Sequence, residues 1–105
     1  PILLPLQHAD CFSAFHLYII RIDPQQTTTP HLKVFKTLTA QGIGVSLHYT
    51  PVHLQPFYQR MGFKEGDFPE AESYYQQAIT LPLYPTLTYQ QQDQVIAALT
   101  KVLKL

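Results

Sequence analysis

Residues 15–22 read FHLYIIRI, a dense run of β-branched and aromatic residues that stops at Asp23-Pro24. A short apolar run of this composition closed by a proline predicts a buried strand. Working outward, the polar loop DPQQTTT leads to Thr29-Pro30, the arrangement of an N-cap followed by proline at the first helical position. Leu32, Phe35, Leu38 and Thr39 then recur at helical spacing. Gly42 falls where a left-handed cap would end that helix. On the other side of the strand the chain opens at Pro1 on the apolar PILLPL, without a methionine. That opening reads as the inside of a longer protein.

Beyond Gly42, residues 43–50 alternate: Ile43, Val45, Leu47 and Tyr49 point one way, and Gly44, Ser46, His48 and Thr50 the other. A second strand is therefore expected, with His48 turned away from the core, and Pro51 ends its pairing. The stretch VHLQPFYQRMGF predicts a bent or short helical connection broken again at Pro56. In GDFPEAESYYQQAI, Asp67 and Glu70 have capping-box spacing around Pro69, and Ala71, Tyr74, Tyr75, Ala78 and Ile79 supply an apolar helix face. TLPLYP follows as a short extended piece. Thr88 with Gln91 makes a second capping-box candidate for a last helix from about Tyr89 to Leu103. Its stripe is Val95, Ile96, Leu99, Val102 and Leu103, with Lys101 and Lys104 at the negative end of the dipole. The pattern is a small α+β domain, or open α/β layer, over residues 1–105, with a short sheet covered by helices on one side and short of cover on the other.

Composition narrows the function. At 105 residues and 46% hydrophobic content, the chain can bury one core. Seven basic residues against seven acidic ones leave no net charge, so the basic face that attracts nucleic acid or an anionic membrane is missing. No apolar run reaches the length of a bilayer span. Cys11 is the only cysteine, which excludes an internal disulfide and a cysteine metal cluster and fits a reducing cytoplasm.

The candidate chemistry concentrates in GVSLHYTPVHLQPFYQR, residues 44–60. His48 and His53 are the only close histidine pair, but Pro51 lies between them, so they cannot share one face of a zinc-binding helix. Tyr49, Phe57 and Tyr58 could stack on bases, yet no basic groove accompanies them. Cys11 beside His8 and His16 has no basic neighbour or helix N-terminus to activate a thiolate. Asp67, Glu70 and Glu72 read as helix-start residues rather than as an acid and base pair. Two readings of the histidines stay open: hydrogen bonds to loop carbonyls, or contact with a polar, hydroxylated ligand.

SAFHLYIIRID, GIGVSLHYTPVHLQPFYQRMGF and GDFPEAESYYQQAITLPLYPTLTYQQQDQVIAAL, in that order, resemble the carboxy-terminal small domain of the DegT/DnrJ/EryC1/StrS family of pyridoxal-phosphate-dependent sugar aminotransferases. The resemblance runs from about Pro5 to Leu103. Within the family, HYTPVHLQPFYQ and GDFPEAESYY resemble the subgroup that acts in pseudaminic acid synthesis. It implies a two-domain, fold-type I enzyme whose large domain holds pyridoxal 5'-phosphate and the Schiff-base lysine. Glutamate would donate the amino group and a nucleotide-linked 4-keto-6-deoxy sugar would accept it, with the cofactor as electron sink. By motif position, His48 and Tyr49 would lie beside the sugar nucleotide, with His53 and Gln55 near the same wall. His16 also matches a family position, and inside a buried strand it is expected to make a structural hydrogen bond.

None of Lys33, Lys36, Lys64, Lys101 and Lys104 sits in the family's Schiff-base motif, so these residues alone are expected to be inactive, with no catalytic or cofactor-binding residue among them. The resemblance further implies a homodimeric parent, while the small domain by itself could be monomeric. The competing reading is a stand-alone binding module descended from the same lobe. An upstream reading frame carrying the cofactor lysine would favour the enzyme, and a stop or an unrelated domain would favour the module.

Overall fold

In the computed structural model, which describes residues 1–105, the FHLYIIRI run becomes the centre of a three-stranded antiparallel sheet of order β1-β2-β3. β1 is Ile2–Leu3, β2 Tyr18–Ile22 and β3 Ala78–Leu81. The helices are α1 (His31–Ala40), α2 (Pro56–Arg60), α3 (Pro69–Tyr75) and α4 (Tyr89–Leu103), with a single 3-10 turn at Val52–Leu54. This is the small α+β architecture the sequence implies.

Register explains the core. Ile20 stands opposite Ile79 and Tyr18 opposite Leu81, so Tyr18, Ile20, Ile22, Ile79 and Leu81 share one sheet face. On that face α1 and α4 pack against each other and close the core with Val34, Leu38, Ala98, Leu99 and Leu103. Each of the valine and leucine side chains contributes about 1.5–3 kcal/mol on burial. The opposite face carries Ile19, Arg21, Ala78 and Thr80. Ala78 and Thr80 are buried there, so that face is better covered than its sequence suggests.

The apolar run in the sequence is longer than the strand. Phe15 adopts φ +44° and lays its ring 6.0 Å from that of Tyr18, so extension begins only at Tyr18. His16 is exposed and makes no hydrogen bond, contrary to the expected structural role. Pro30, not Thr29, is the N-cap of α1, while Gly42 at φ +77° ends the helix as its position implies. Asp67 and Glu70 form no capping box: Asp67 Oδ2 instead accepts from the Lys64 backbone N–H at 2.9 Å. Ala78 and Ile79 belong to β3 rather than to a helix face, because α3 stops at Tyr75. The Thr88–Gln91 capping box is present in both directions, and α4 runs as anticipated. Its core stripe uses Ala98, while Ile96 is exposed.

Residues 43–50 form no full strand. Ser46 alone pairs with Thr80, through hydrogen bonds in both directions across the free edge of β3. The register explains why pairing stops there. On one side the next hydrogen-bonded partner would be Pro82, which has no N–H to donate. On the other it would be Ala78, whose carbonyl accepts from His31 Nε2 at 2.9 Å rather than from the 43–50 segment. Ile43, Val45 and Leu47 still pack on the core, but Tyr49 leaves it and stands exposed. The His48–Tyr49 peptide is cis.

Candidate functional site

His48 projects away from Ile43, Val45 and Leu47, as the alternation requires, and reaches β3. Its Nδ1 lies 2.6 Å from Thr80 Oγ1, a hydrogen bond in which the hydroxyl donates to a bare nitrogen or accepts from a protonated one. Every buried side-chain nitrogen and oxygen of the chain has a partner. Since His48 Nε2 has none, it is open to solvent. Tyr49 packs edge-on against the imidazole, with ring centroids 4.4 Å apart at 81°. Tyr49 is 71% exposed, so its ring lies against the imidazole on an accessible surface. One ring nitrogen anchored and the other presented, with an exposed tyrosine ring against the imidazole, is an arrangement suited to hydrogen-bonding a hydroxylated ligand.

The other two expected wall residues sit differently. Gln55 is exposed, and its backbone caps α2 at the Pro56 start. His53 is buried at 7% exposure, its Nε2 2.7 Å from Glu72 Oε1 and its ring 4.8 Å from that of Phe68. An ionised carboxylate only accepts, so the His53 Nε2–H donates. Glu72 is also buried, and its carboxylate further accepts from the Gly66 N–H at 2.9 and 3.0 Å and from the Phe68 N–H at 3.4 Å. Burial pushes this carboxyl up, but the His53 hydrogen bond, the two backbone donors and the His53 charge together outweigh burial and hold it below its ordinary value.

Sequence reasoning missed Glu72 and Thr80 as members of this neighbourhood. Glu72 reads as one more acidic residue in a first helical turn, and Thr80 as a strand residue. Their shared signal is position: both point toward 46–53 from α3 and β3. The lysines, which a covalent cofactor site would require, are all exposed and none accompanies His48.

The DegT/DnrJ/EryC1/StrS aminotransferase family profile matches residues 2–100. The chain belongs to this family. Its members are pyridoxal-phosphate-dependent sugar aminotransferases. Among curated relatives, the spore coat polysaccharide biosynthesis protein SpsC from Bacillus subtilis is 36% identical over 98% of the chain and 27% of its own length. The PLP form of the putative sugar aminotransferase Spr1654 from Streptococcus pneumoniae superposes with a TM-score of 0.87 at 27% identity, over 98% of the chain and 26% of its own. Helicobacter pylori PseC, an aminotransferase involved in the biosynthesis of pseudoaminic acid, gives 0.74 at 25% identity, over 85% and 24%. The chain thus spans about a quarter of the length of these relatives.

Proposed function

We propose that residues 1–105 are the carboxy-terminal, substrate-facing lobe of a two-domain sugar-nucleotide aminotransferase. In this reading an amino group moves from L-glutamate to a nucleotide-linked 4-keto-6-deoxy sugar, for surface or flagellar glycan synthesis in the cytoplasm. The observation that carries it is the pair His48 and Tyr49: Nδ1 fixed by Thr80, Nε2 and the phenol presented outward, on the segment that bears the family motif. Family membership and the names of SpsC and PseC support the sugar and glycan context. The specific activity that best fits HYTPVHLQPFYQ and GDFPEAESYY is that of UDP-4-amino-4,6-dideoxy-N-acetyl-β-L-altrosamine transaminase.

Each residue has a task in this reading. His48 and Tyr49 bind and orient the sugar nucleotide, Gln55 extends the same wall from the start of α2, and His53 braces the wall from behind. Pyridoxal 5'-phosphate, held outside these residues, would supply the electron sink. Exposed Phe57, Met61 and Phe68 would be covered by the rest of a homodimeric parent, since apolar surface of this kind marks contact regions.

The test uses the full-length parent protein. His48→Ala should slow reaction with the keto sugar nucleotide while leaving the glutamate half-reaction, followed by cofactor absorbance, nearly unchanged. Equal loss in both half-reactions would make His48 a structural residue and remove the basis of the reading.

A further inference from the structure

The wall that carries His48 and Tyr49 has little backbone pairing to hold it. Only Ser46 is bridged to the sheet, and the chain from 47 to 51 has no ladder of its own. What fixes it is a series of side-chain hydrogen bonds to the next unit of the chain, running antiparallel. His48 meets Thr80 of β3, Thr50 Oγ1 donates to the Tyr75 hydroxyl at 3.3 Å, and His53 meets Glu72 at 2.7 Å. Tyr75 and Glu72 are three residues apart on α3 and so share a helix face, matching the spacing of Thr50 and His53.

Glu72 differs from the other members in gathering two separate loops. Besides His53 on the 3-10 turn, it accepts from Gly66 and Phe68, so one buried carboxylate ties the 52–54 turn to the 66–68 loop. Gly66 is at φ +91°, a backbone conformation that a side chain other than glycine resists, and this turns its N–H to the carboxylate. Phe68, whose backbone donates to Glu72, also lays its ring on His53. No other carboxylate of the chain joins two loops in this way: Asp10, Asp23 and Asp67 bond within three residues of themselves, and Glu65, Glu70 and Asp93 make no side-chain hydrogen bond.

We propose that Glu72, acting through His53, is a positioning residue for ligand binding by the His48–Tyr49 wall. Removing its carboxylate leaves a buried imidazole donor and two backbone donors without a partner. The turn after Pro51 then relaxes, and the wall shifts with it. This rests on the nucleotide-sugar reading for the identity of the ligand, but not for the dependence of the wall on Glu72.

The test uses the full-length parent protein with UDP-N-acetylglucosamine as the probe. In wild type, calorimetry should show binding, and Glu72→Ala should weaken it on the order of tenfold to a hundredfold, the scale of a misplaced contact group. The glutamate half-reaction should stay within about twofold, as expected of a change confined to substrate positioning. Glu72→Gln, whose amide oxygen can still accept from His53 and one backbone donor, should restore part of the binding. Glu70→Ala, on the exposed side of α3, should change nothing. Wild-type affinity in Glu72→Ala overturns the proposal and leaves the sugar-nucleotide reading intact. If Glu72→Ala does not fold, Glu72→Asp, too short to reach all three donors, takes its place: weakened binding supports the proposal and wild-type affinity overturns it. If wild type fails to bind the probe, the nucleotide-sugar reading falls instead. The proposal is then decided by histidine-selective 15N NMR: displaced His48 ring resonances in the Glu72 variant support it, and unmoved ones overturn it.

Discussion

His48 Nδ1 and Thr80 Oγ1 meet at 2.6 Å although 32 positions separate them in the chain. The contact fixes which imidazole nitrogen faces outward, so the outward chemistry of His48 is decided by a strand hydroxyl. Thr80→Val keeps the side-chain shape and removes the hydroxyl. It should destabilise the chain by about 1–2 kcal/mol, read as a lowered urea midpoint, because a half-buried ring nitrogen loses its partner. In the parent protein its effect on sugar-nucleotide binding should fall between wild type and His48→Ala. An unchanged midpoint would mean that solvent replaces the bond at no cost.

Glu72 sets an acid limit on the fold. Its folded-state value lies below the ordinary carboxyl value of 4.5, so its contribution is fully present above that value and is lost as pH falls through the depressed one. Unfolding midpoints measured from pH 6 downward should therefore drop more steeply in wild type than in Glu72→Gln, which has no proton to take up. Parallel pH profiles for the two proteins would place the acid sensitivity elsewhere.

The core prediction separates buried from exposed members of the two helices. Leu38 is fully buried between α1, α4 and the sheet, so Leu38→Ala should cost about 2–5 kcal/mol. Ile96, on the apolar stripe that the sequence assigns to α4 but 59% exposed, should tolerate alanine within about 0.5 kcal/mol. Thermal melts of the two variants check the contrast, and similar losses would show that Ile96 is covered in solution.

Gly42 ends α1 at φ +77°, and a Cβ built there meets nothing within 4 Å. Gly42→Ala therefore costs only the strain of the left-handed backbone, about 1–2 kcal/mol, with no clash to add. A loss well above that range in chemical denaturation would indicate a contact that the backbone conformation does not explain.

Much of this protein is legible from its residues alone because the signals are local. The β2 run, the Gly42 stop, the Pro56 break and the Thr88–Gln91 box each act within a few positions, and all four appear in the fold. The alternation from Ile43 to Leu47 likewise sets the outward direction of His48 without reference to any distant contact. Tertiary structure decided what depends on distant partners. Pairing of 43–50 is limited to Ser46, with Pro82 lacking a donor on one side and the Ala78 carbonyl accepting from His31 instead on the other. Tyr49 leaves the core side, and His53 turns inward to Glu72, although both histidines look alike in HYTPVH. The difference is physical: periodicity records which face a residue prefers, while a buried polar group goes where a hydrogen-bond partner waits, and that partner lies nineteen positions away for His53 and thirty-two for His48.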